Sequence, residues 1–290
     1  MIPLVALGLV ALGGLAYSAG YEVRAFRVRK VTVPVLSVGA QPLKILHISD
    51  MHLTPRQTRK QAWLRSLGDL DVDFTIVTGD FWASAKALPS LRDALAPQLR
   101  RPGAFVFGSN DYYGPRPKNP ARYLGRDRGK RIHGEELPWR ELRAMLVACG
   151  WFDLNHQRLE TSIKGSRVEL RGVDDPHLQR DDYALVAGPR GPVDVALGVT
   201  HAPYLRVLDA MEADGLDLVL SGHTHGGQLC LPGVGALVTN CDLDRRRAKG
   251  LHRHKRAWLH VSAGVGTNPF TPVRFACKPE VTLLTLLPRA

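Results

Sequence analysis

The chain has 290 residues, 44% of them hydrophobic and 23% charged, and its formal net charge at pH 7 is +12. The length allows one large α/β domain or two small ones, and the composition is that of a globular protein with no low-complexity tract. The excess of cations favours an anionic partner, which charge alone leaves open as a phosphorylated substrate, a nucleic acid or an acidic membrane surface.

The first 21 residues carry no charged side chain. As a helix they would be about 30 Å long, the thickness of the hydrocarbon core of a bilayer. No cation precedes this apolar run, unlike in a cleavable signal peptide, and four follow it: Arg24, Arg27, Arg29 and Lys30. We predict a single-pass anchor in the cell membrane over residues 1–21, and the positive-inside rule places the following domain in the cytoplasm. A cleaved signal, a buried helix and an exported domain are the alternatives.

A juxtamembrane linker and a first strand, VTVPVL, are predicted over residues 22–42. From residue 43, the apolar runs LKILHIS, FTIVTG and AFVFG alternate with helical patterns over residues 56–70 and 89–99. This alternation predicts an α/β domain over residues 43–290, with parallel or mixed strand pairing. A later helix is predicted over residues 138–149, and further strands at 158–163, at 167–172 and in VDVALGVTH, LDLVLSGHTH, AWLHVSAGVG and VTLLTLL.

Two basic segments interrupt this pattern. Residues 113–140 are rich in Pro, Gly and cations, which indicates a solvated excursion or a cap that grips an anionic substrate. Residues 245–256, RRRAKGLHRHKR, indicate a solvated loop or a contact with anionic lipid headgroups. The four cysteines form no CxxC pair, and unpaired thiols are at least as consistent with the sequence as two disulfides.

Side chains of the kind that bind metals follow five of the predicted strands. They are Asp50 and His52 in ISDMH, Asp80 in TGD, Ser109, Asn110 and Asp111 in GSND, His201 in THAP, and His223 and His225 in SGHTHGG. In an open α/β sheet, ligands bind beyond the carboxyl ends of the strands, where a side chain is held rigidly. Five coincident strand ends therefore indicate one site.

The donors are imidazoles, carboxylates and an amide without a thiolate, so they suit Mn, Zn or Fe in a reactive site rather than a structural zinc. Seven of these side chains are candidate ligands, which is too many for one ion but suits two ions that share a carboxylate. The seven are Asp50, His52, Asp80, Asn110, His201, His223 and His225. Sites with two metals about 3.5–4 Å apart hydrolyse phosphate esters by activating a water and clamping the phosphoryl oxygens. The sequence therefore predicts two divalent metal ions and a phosphorylated substrate.

The ordered set DMH…GD…GSND…TH…GHTHGG resembles that of the calcineurin-like metallophosphoesterases, over residues 43 to about 287. The closing stretch, from SAGVGTNPF onward, resembles the membrane-associated branch of that superfamily. The resemblance implies a four-layer α/β/β/α sandwich and a metal-activated hydroxide as the nucleophile. It also implies the ligands: Asp50, His52, Asp80 and His225 for the first metal, and Asp80, His201, His223 and Asn110 for the second, with Asp80 bridging.

The family pattern GNH(D/E) is altered to GSND in this chain. Ser109 stands at the position of the usual asparagine ligand, and Asn110 at that of the histidine that assists the leaving group. We expect Asn110 to be the ligand, because an amide oxygen is a good neutral donor to a hard cation, with Ser109 or a water as the alternative. Without that imidazole, a phosphate is a better leaving group than an alkoxide, which favours a phosphoanhydride. The UDP-2,3-diacylglucosamine pyrophosphohydrolases, which this chain resembles, also replace this histidine.

The predicted function is a membrane-anchored, dinuclear metal-dependent phosphohydrolase that cleaves a phosphodiester or pyrophosphate bond of a nucleotide- or lipid-linked substrate. The expected catalytic residues are Asp80, Asn110, Asp111 and His201. Anionic membrane lipids are expected partners. Nucleic acid is not, because no aromatic-interleaved nucleic-acid motif is present. A non-catalytic, metal-bound module that recognises anionic lipid and a nuclease are the alternatives.

Three further predictions concern residues around these motifs. His47 is expected in the core or behind the ligands, and Asp174 and Asp175 are expected to form a turn or a contact behind the site. Trp82 is expected to line the site, because it follows Asp80 so closely.

Overall fold

The computed structural model of the protein describes residues 12–117 and 133–289. Within these ranges, a first sheet has six strands. The strand order is β1 (Arg27–Leu36), β14 (Glu280–Pro288), β2 (Leu43–Ile48), β3 (Phe74–Thr78), β4 (Gly103–Val106) and β5 (Phe152–Asp153). The pair β14–β2 is antiparallel and every other neighbouring pair in this sheet is parallel.

A second six-stranded sheet is built from the later part of the chain. Its two outer pairs are antiparallel and its three inner pairs are parallel. The strand order is β12 (Gly250–His254), β13 (Ala257–Val261), β9 (Leu218–Ser221), β8 (Val195–Val199), β7 (Ser166–Gly172) and β6 (Gln157–Ile163). A short hairpin, β10 (Cys230–Leu231) with β11 (Gly235–Ala236), stands apart from both sheets.

Helices connect the parallel strands. They are α1 (Thr58–Ser66), α2 (Leu88–Leu99), α3 (Ser109–Tyr112), α4 (Trp139–Ala148) and α5 (Leu205–Ala213). Short 3-10 turns lie at Glu22–Arg24, Leu67–Asp69, Ala85–Ala87, Pro176–Leu178, Tyr183–Leu185, His225–Gly227 and Arg245–Arg247. Helix α4 shows why such segments fold: Leu142 and Leu146 are spaced four residues apart, so both face the core and are buried.

The layers follow from the faces that the strands bury. Along β2, Ile45 packs between the two sheets while Leu46 packs under the helices, because successive side chains point to opposite faces. Both faces of the inner strands are therefore apolar, as buried parallel strands require. Helices α1, α2 and α4 cover the first sheet and α5 covers the second. The predicted α/β/β/α arrangement is confirmed.

The basic stretch at residues 245–256 differs from the prediction of a loop. It contains a 3-10 turn at Arg245–Arg247 and all of β12, which is held by antiparallel hydrogen bonds to β13. The strand went unrecognised because its cations mask the β pattern, although an edge strand tolerates charges on its exposed face. In addition, β1 is paired with β14, so the segment before residue 43 contributes a strand to the first sheet.

The predicted anchor lies partly outside the described residues, which begin at residue 12. Residues 12–16 are α-helical and continue into a π-helical turn at Tyr17–Tyr21. Across the described ranges, no helix has the length and apolarity needed to span a membrane. Most of the predicted basic insertion, residues 118–132, also lies outside the described part of the chain.

Candidate metal centre

The predicted ligands come together at the carboxyl ends of five parallel strands. The loops after β2 and β9 supply two of them each, the loops after β3 and β8 supply one each, and helix α3 after β4 supplies the amide. In the same order they are Asp50 and His52, His223 and His225, Asp80, His201, and Asn110.

Four of these side chains form one compact cluster. The ligand atoms of Asp50, His52, Asp80 and His225 all lie within 4.8 Å of one another. Nε2 of His52 is 3.2 Å from Nε2 of His225 and 3.4 Å from Oδ2 of Asp80. Nε2 of His225 is 3.5 Å from Oδ1 of Asp50.

A second group meets the first at Asp80. Nε2 of His201 lies 3.6 Å from Oδ2 of Asp80 and 3.3 Å from Nδ1 of His223. Nδ2 of Asn110 lies 2.7 Å from the same oxygen of Asp80. One carboxylate therefore stands between two sets of donors.

The backbone at these positions is strained. Five of the candidate ligands have positive φ angles: Asp50 (50°), His52 (42°), Asp80 (55°), His223 (69°) and His225 (49°). A non-glycine residue in this region costs of order 1–3 kcal/mol, which persists only where the surrounding structure enforces it. This strain lowers the stability of the fold, and the surrounding structure that enforces it also orients these side chains toward one point.

Two glycines allow the elements to approach closely at the centre. A Cβ atom on Gly108 would lie 2.5 Å from Oδ1 of Asp80 and 2.6 Å from the ring of His201. A Cβ atom on Gly222 would lie 1.8 Å from Oγ of Ser49 and 2.5 Å from Oδ2 of Asp50. Any side chain at either position would displace a ligand.

Hydrogen bonds to backbone carbonyls orient two of the rings. Nδ1 of His201 is 2.7 Å from the carbonyl of Thr78, and Nδ1 of His225 is 3.0 Å from that of Gly266. Since a carbonyl only accepts, Nδ1 carries a proton in both rings, so the neutral form of each ring presents the lone pair of Nε2 to the cluster. This is the tautomer that a metal-binding histidine needs.

The electrostatics of the cluster also favour cations. Burial, and then Arg274, lowers the pKa of His225 to about 3, and burial together with His225 lowers that of His52 well below its usual value. Burial likewise acts to lower the pKa of His201, but Asp80 and Asp175 outweigh it and raise that pKa to about 9. His52 and His225 are therefore neutral donors, and His201 lies where carboxylates attract positive charge.

Asp111 lies behind Asp80. Its Oδ2 accepts the backbone N–H groups of Asp80 and Gly108 at 2.8 Å each, and its Oδ1 accepts that of Phe81 at 2.7 Å. Because both oxygens are occupied and the side chain is fully buried, these contacts suit a residue that holds Asp80 in place. Trp82 is fully buried in the helix-side core, and its indole donates to the carbonyl of Asp111, so the prediction that it lines the site is wrong.

A chain of buried hydrogen bonds reaches Asp50 from between the sheets. The Ser49 hydroxyl donates to Oδ2 of Asp50 at 2.6 Å, and the Thr78 hydroxyl donates to Ser49 at 2.7 Å. His47 Nε2, 2.9 Å from the Thr78 oxygen, must then be the donor there, which leaves its Nδ1 to accept from Nδ1 of His260 at 3.0 Å. His47 is thus behind a ligand, as predicted.

Asp174 and Asp175 also lie behind the ligands. Asp174 accepts the hydroxyl of Tyr112 at 2.8 Å and Nε of Arg180 at 2.9 Å. Asp175 caps the turn Pro176–Leu178 by accepting the backbone N–H of His177 at 2.9 Å. Burial raises the pKa of Asp175 to about 7, although the charge of His201 opposes that shift. The prediction of a turn behind the site is confirmed.

The sequence alone predicted no role for Arg274. It is fully buried and donates to the carbonyls of Ala263 and Gly266, at 2.7 Å each. Gly266 is the residue whose carbonyl orients His225, so Arg274 organises the loop that holds this ring. An arginine within a Pro- and Gly-rich stretch carries no spacing signal, and only the tertiary structure reveals its role.

The donor set fits two divalent cations. Neutral imidazoles and carboxylates converge without a thiolate, Asp80 faces both groups, and Nε2 of His52 and His225 point at each other across 3.2 Å. Such a set suits borderline metals that accept mixed nitrogen and oxygen ligands.

The comparisons with known proteins agree with this geometry. Residues 43–227 match the calcineurin-like phosphoesterase family, which is more than half of the chain, and the chain belongs to that family. It is therefore a hydrolase acting on phosphoester bonds, of a family that uses divalent metals.

Three relatives illustrate the range of the family. A metallophosphoesterase of Aquifex aeolicus (strain VF5) is 31% identical, covering 96% of this chain and 97% of its own. Phosphodiesterase YaeI of Escherichia coli (strain K12) is 27% identical over 86% of this chain and 84% of its own. The UDP-2,3-diacylglucosamine pyrophosphatase LpxG of Chlamydia muridarum is 25% identical over 84% of both.

Proposed function

We propose that the protein is a dinuclear metal-dependent phosphohydrolase that cleaves a phosphodiester or pyrophosphate bond in a nucleotide- or lipid-linked substrate. The observation that carries the proposal is the position of Asp80, whose Oδ2 lies within 3.6 Å of donors from both groups. A carboxylate shared in this way is what two neighbouring ions require.

Asp50, His52, Asp80 and His225 would hold one ion, and Asp80, His201, His223 and Asn110 the other. When bound, the two ions would supply Lewis acidity that activates a water and stabilises the phosphoryl oxygens. The protein's own contribution is rigidity: Asp111 fixes Asp80, and backbone carbonyls fix two imidazole tautomers.

The choice of substrate bond follows from helix α3. Its first two residues, Ser109 and Asn110, offer a hydroxyl and an amide, neither of which donates a proton to a leaving group near neutral pH. A phosphate leaving group needs little protonation, so an anhydride suits this site better than an alkyl ester. The names of YaeI and LpxG, a phosphodiesterase and a pyrophosphatase, support bonds of these two kinds.

The N-terminal segment supports a substrate at a membrane. Residues 1–21 have no charged side chain, and in the described part of this segment Leu12 and Leu15 are largely exposed. We extend the proposal to a membrane anchor at this end, with the catalytic domain in the cytoplasm, and to lipid-linked substrates.

The test uses the full-length protein purified without metal. Turnover of bis-p-nitrophenyl phosphate, of UDP-linked lipids and of single- and double-stranded nucleic acid is measured before and after addition of Mn²⁺, Zn²⁺ or Fe²⁺. We expect metal-dependent cleavage of the diester or the pyrophosphate. Absence of turnover on every substrate and metal would contradict the proposal, and preferential cleavage of nucleic acid would favour a nuclease instead.

A further inference from the structure

Exposed apolar side chains are concentrated at one part of the surface. In the described residues, eight of the eleven large hydrophobic side chains that are exposed lie on three segments, and Val38, Val147 and Leu185 lie elsewhere. We call the eight the apolar face: Leu12, Leu15, Tyr17 and Tyr21 on the N-terminal helical segment, Leu229, Leu231 and Val234 on the β10–β11 hairpin, and Phe270 on the following loop.

The three segments are joined directly. The backbone N–H of Arg274 donates to the carbonyl of Ser18 at 3.1 Å, and that of Cys230 donates to the carbonyl of Phe275 at 2.8 Å. The rings of Tyr17 and Phe275 meet edge to face at 6.2 Å between centroids. The N-terminal segment, the hairpin and the loop therefore form one surface.

A buried carboxylate fixes the N-terminal segment to this loop. Glu22 is 1% exposed and accepts the backbone N–H groups of Ala276 and Cys277. Burying a charge is costly unless it is satisfied in this way, so the contact is specific. The exposed residues that precede Glu22 are thus held in place relative to the hairpin.

The hairpin has its apolar residues on both faces. Cys230 is buried at 3% exposure, whereas Leu229 and Leu231, on the opposite face of the strand, are 44% and 48% exposed. Val234, between the two strands, is 69% exposed. A two-stranded hairpin normally turns polar side chains to water, and apolar ones there mark a surface that meets a partner.

The apolar face lies beside the metal-ligand cluster. The hairpin begins three residues after the turn His225–Gly227, and the carbonyl of Gly266 that orients His225 precedes Phe270 in the same loop. A partner on this face would therefore stand next to the ligand end of the sheets.

Three cations lie next to the segments of the face. Arg24 donates to the carbonyl of Gly20 at 2.6 Å, and Lys249 to that of Ala276 at 3.4 Å. Arg245 donates to the carbonyl of Leu237 at 3.2 Å, next to the hairpin. Because a carbonyl is neutral, these contacts place the three cations against the segments of the face without cancelling their charge.

We propose that the apolar face docks on the surface of an anionic lipid bilayer, with its apolar side chains among the acyl chains and its cations at the headgroups. An apolar centre with a cationic border is the pattern of interfacial membrane binding. In the sequence, residues 1–11 precede Leu12 and carry no charged side chain. A second copy of the chain fits less well, because self-complementary pairing would bring two cationic borders together. The role of docking in substrate capture rests on the proposed function, but docking itself does not.

The test places a tryptophan on the face of the full-length protein. Phe270→Trp is compared with Leu185→Trp, an exposed position outside the face, each added to the five native tryptophans. Vesicles of phosphatidylcholine with 30% phosphatidylglycerol carry brominated acyl chains, which quench only nearby indoles. We expect additional quenching in Phe270→Trp and none in Leu185→Trp. Equal quenching in the two variants would overturn the proposal.

The role of the cations is tested in the Phe270→Trp protein. Arg245→Gln with Lys249→Gln should reduce the quenching severalfold, because each cation near an anionic surface contributes about a factor of five. Arg92→Gln with Arg100→Gln, at α2 on the outer face of the first sheet, is the matched control. Undiminished quenching after loss of Arg245 and Lys249 would refute the cationic border.

Two other outcomes have definite meanings. A dimer in solution that Phe270→Ser dissociates, without quenching by vesicles, would assign the face to a second copy and overturn the membrane proposal. Quenching requires neither metal nor turnover, so absent docking with intact hydrolysis would refute this inference and the proposed membrane anchor, and would leave the proposed hydrolysis standing. Docking without hydrolysis would refute only the proposed function.

Discussion

Asn110 holds both oxygens of Asp80. Its backbone N–H donates to Oδ1 at 2.8 Å, and its side-chain Nδ2 donates to Oδ2 at 2.7 Å. Rotation of the amide by 180° about its last bond would present Oδ1 in place of Nδ2, so the same side chain can face Asp80 or a cation. The hydroxyl of Ser109 instead accepts from Nδ2 of Asn110, at 3.4 Å. The geometry favours Asn110 over Ser109 as the residue that serves the second metal.

The first prediction concerns the leaving group. Asn110→His places a proton donor at α3, and we expect substrates with poor leaving groups to gain about 10-fold or more in kcat/KM relative to substrates with good leaving groups, since general acids contribute about 10²–10⁴-fold. The measurement is the slope of log kcat/KM against leaving-group pKa for a series of aryl and alkyl diesters, which should become shallower.

Asn110→Gln is the control for this change, because it keeps an amide and adds no acid. Its slope should match that of the unsubstituted protein even if its rate falls. An unchanged slope in Asn110→His would contradict our interpretation of the altered motif.

The second prediction concerns the ligands. His223→Ala removes a ring whose Nδ1 lies 3.3 Å from Nε2 of His201. We expect turnover and the affinity for one of the two ions to fall by more than the roughly 10–100-fold that loss of a residue supporting a ligand costs, so metal content per chain should fall by up to one ion. Metal content per chain and turnover are measured together. His252→Ala, at a histidine in β12, should leave both unchanged; an active His223→Ala protein with full metal content would exclude His223 as a ligand.

The third prediction concerns the hydrogen-bond chain behind Asp50. Ser49→Ala removes the donor to Oδ2 of Asp50 and leaves the Thr78 hydroxyl without its acceptor. Metal affinity should fall about 10–100-fold, while the free energy of unfolding should fall by only about 1–3 kcal/mol. Metal titration by calorimetry and urea denaturation measure the two effects.

Ser37→Ala is the matched control, because this serine donates to the carbonyl of Asp194 on a loop far along the sheet from the ligands. It should leave metal affinity unaltered. If Ser49→Ala lost stability but bound metal as before, the hydrogen bonds behind Asp50 would have only a structural role.

The fourth prediction concerns pH. Lys60 is buried and donates to the carbonyl of Met51, between two ligands, at 2.8 Å. Burial, and then Arg274, lowers the pKa of Lys60 from 10.5 to about 7. Between about pH 7 and pH 10.5, the amine of Lys60 binds more protons in the unfolded chain than in the folded one. The contribution of this group to the free energy of unfolding therefore rises with pH.

Lys60→Met removes the cost of burying this amine and should stabilise the protein at pH 7 by about 3 kcal/mol, with a smaller gain at pH 9. Urea denaturation at the two pH values measures the change. Lys86→Met, at an exposed lysine, should alter neither value. A gain that is the same at both pH values would show that Lys60 is charged in the folded protein.

The sequence by itself was enough to predict a cluster of candidate ligands and the layers of the fold. Buried parallel strands have apolar residues on both faces, so runs such as FTIVTG are recognisable without a partner. A polar residue directly after such a run, as at Asp80 and His201, stands out for the same reason. The edge strand β12 was missed because its stability comes from hydrogen bonds to β13, which no local pattern records.

Only the tertiary structure decided what surrounds the ligands. Arg274 contacts the carbonyl of His225, and His260 contacts the ring of His47; both pairs are far apart in sequence, so these contacts exist only once the chain folds. The apolar face is likewise assembled from three distant segments. Side-chain type and spacing along a strand are local and can be read from the chain, whereas a contact between distant residues depends on how the two sheets and their loops pack.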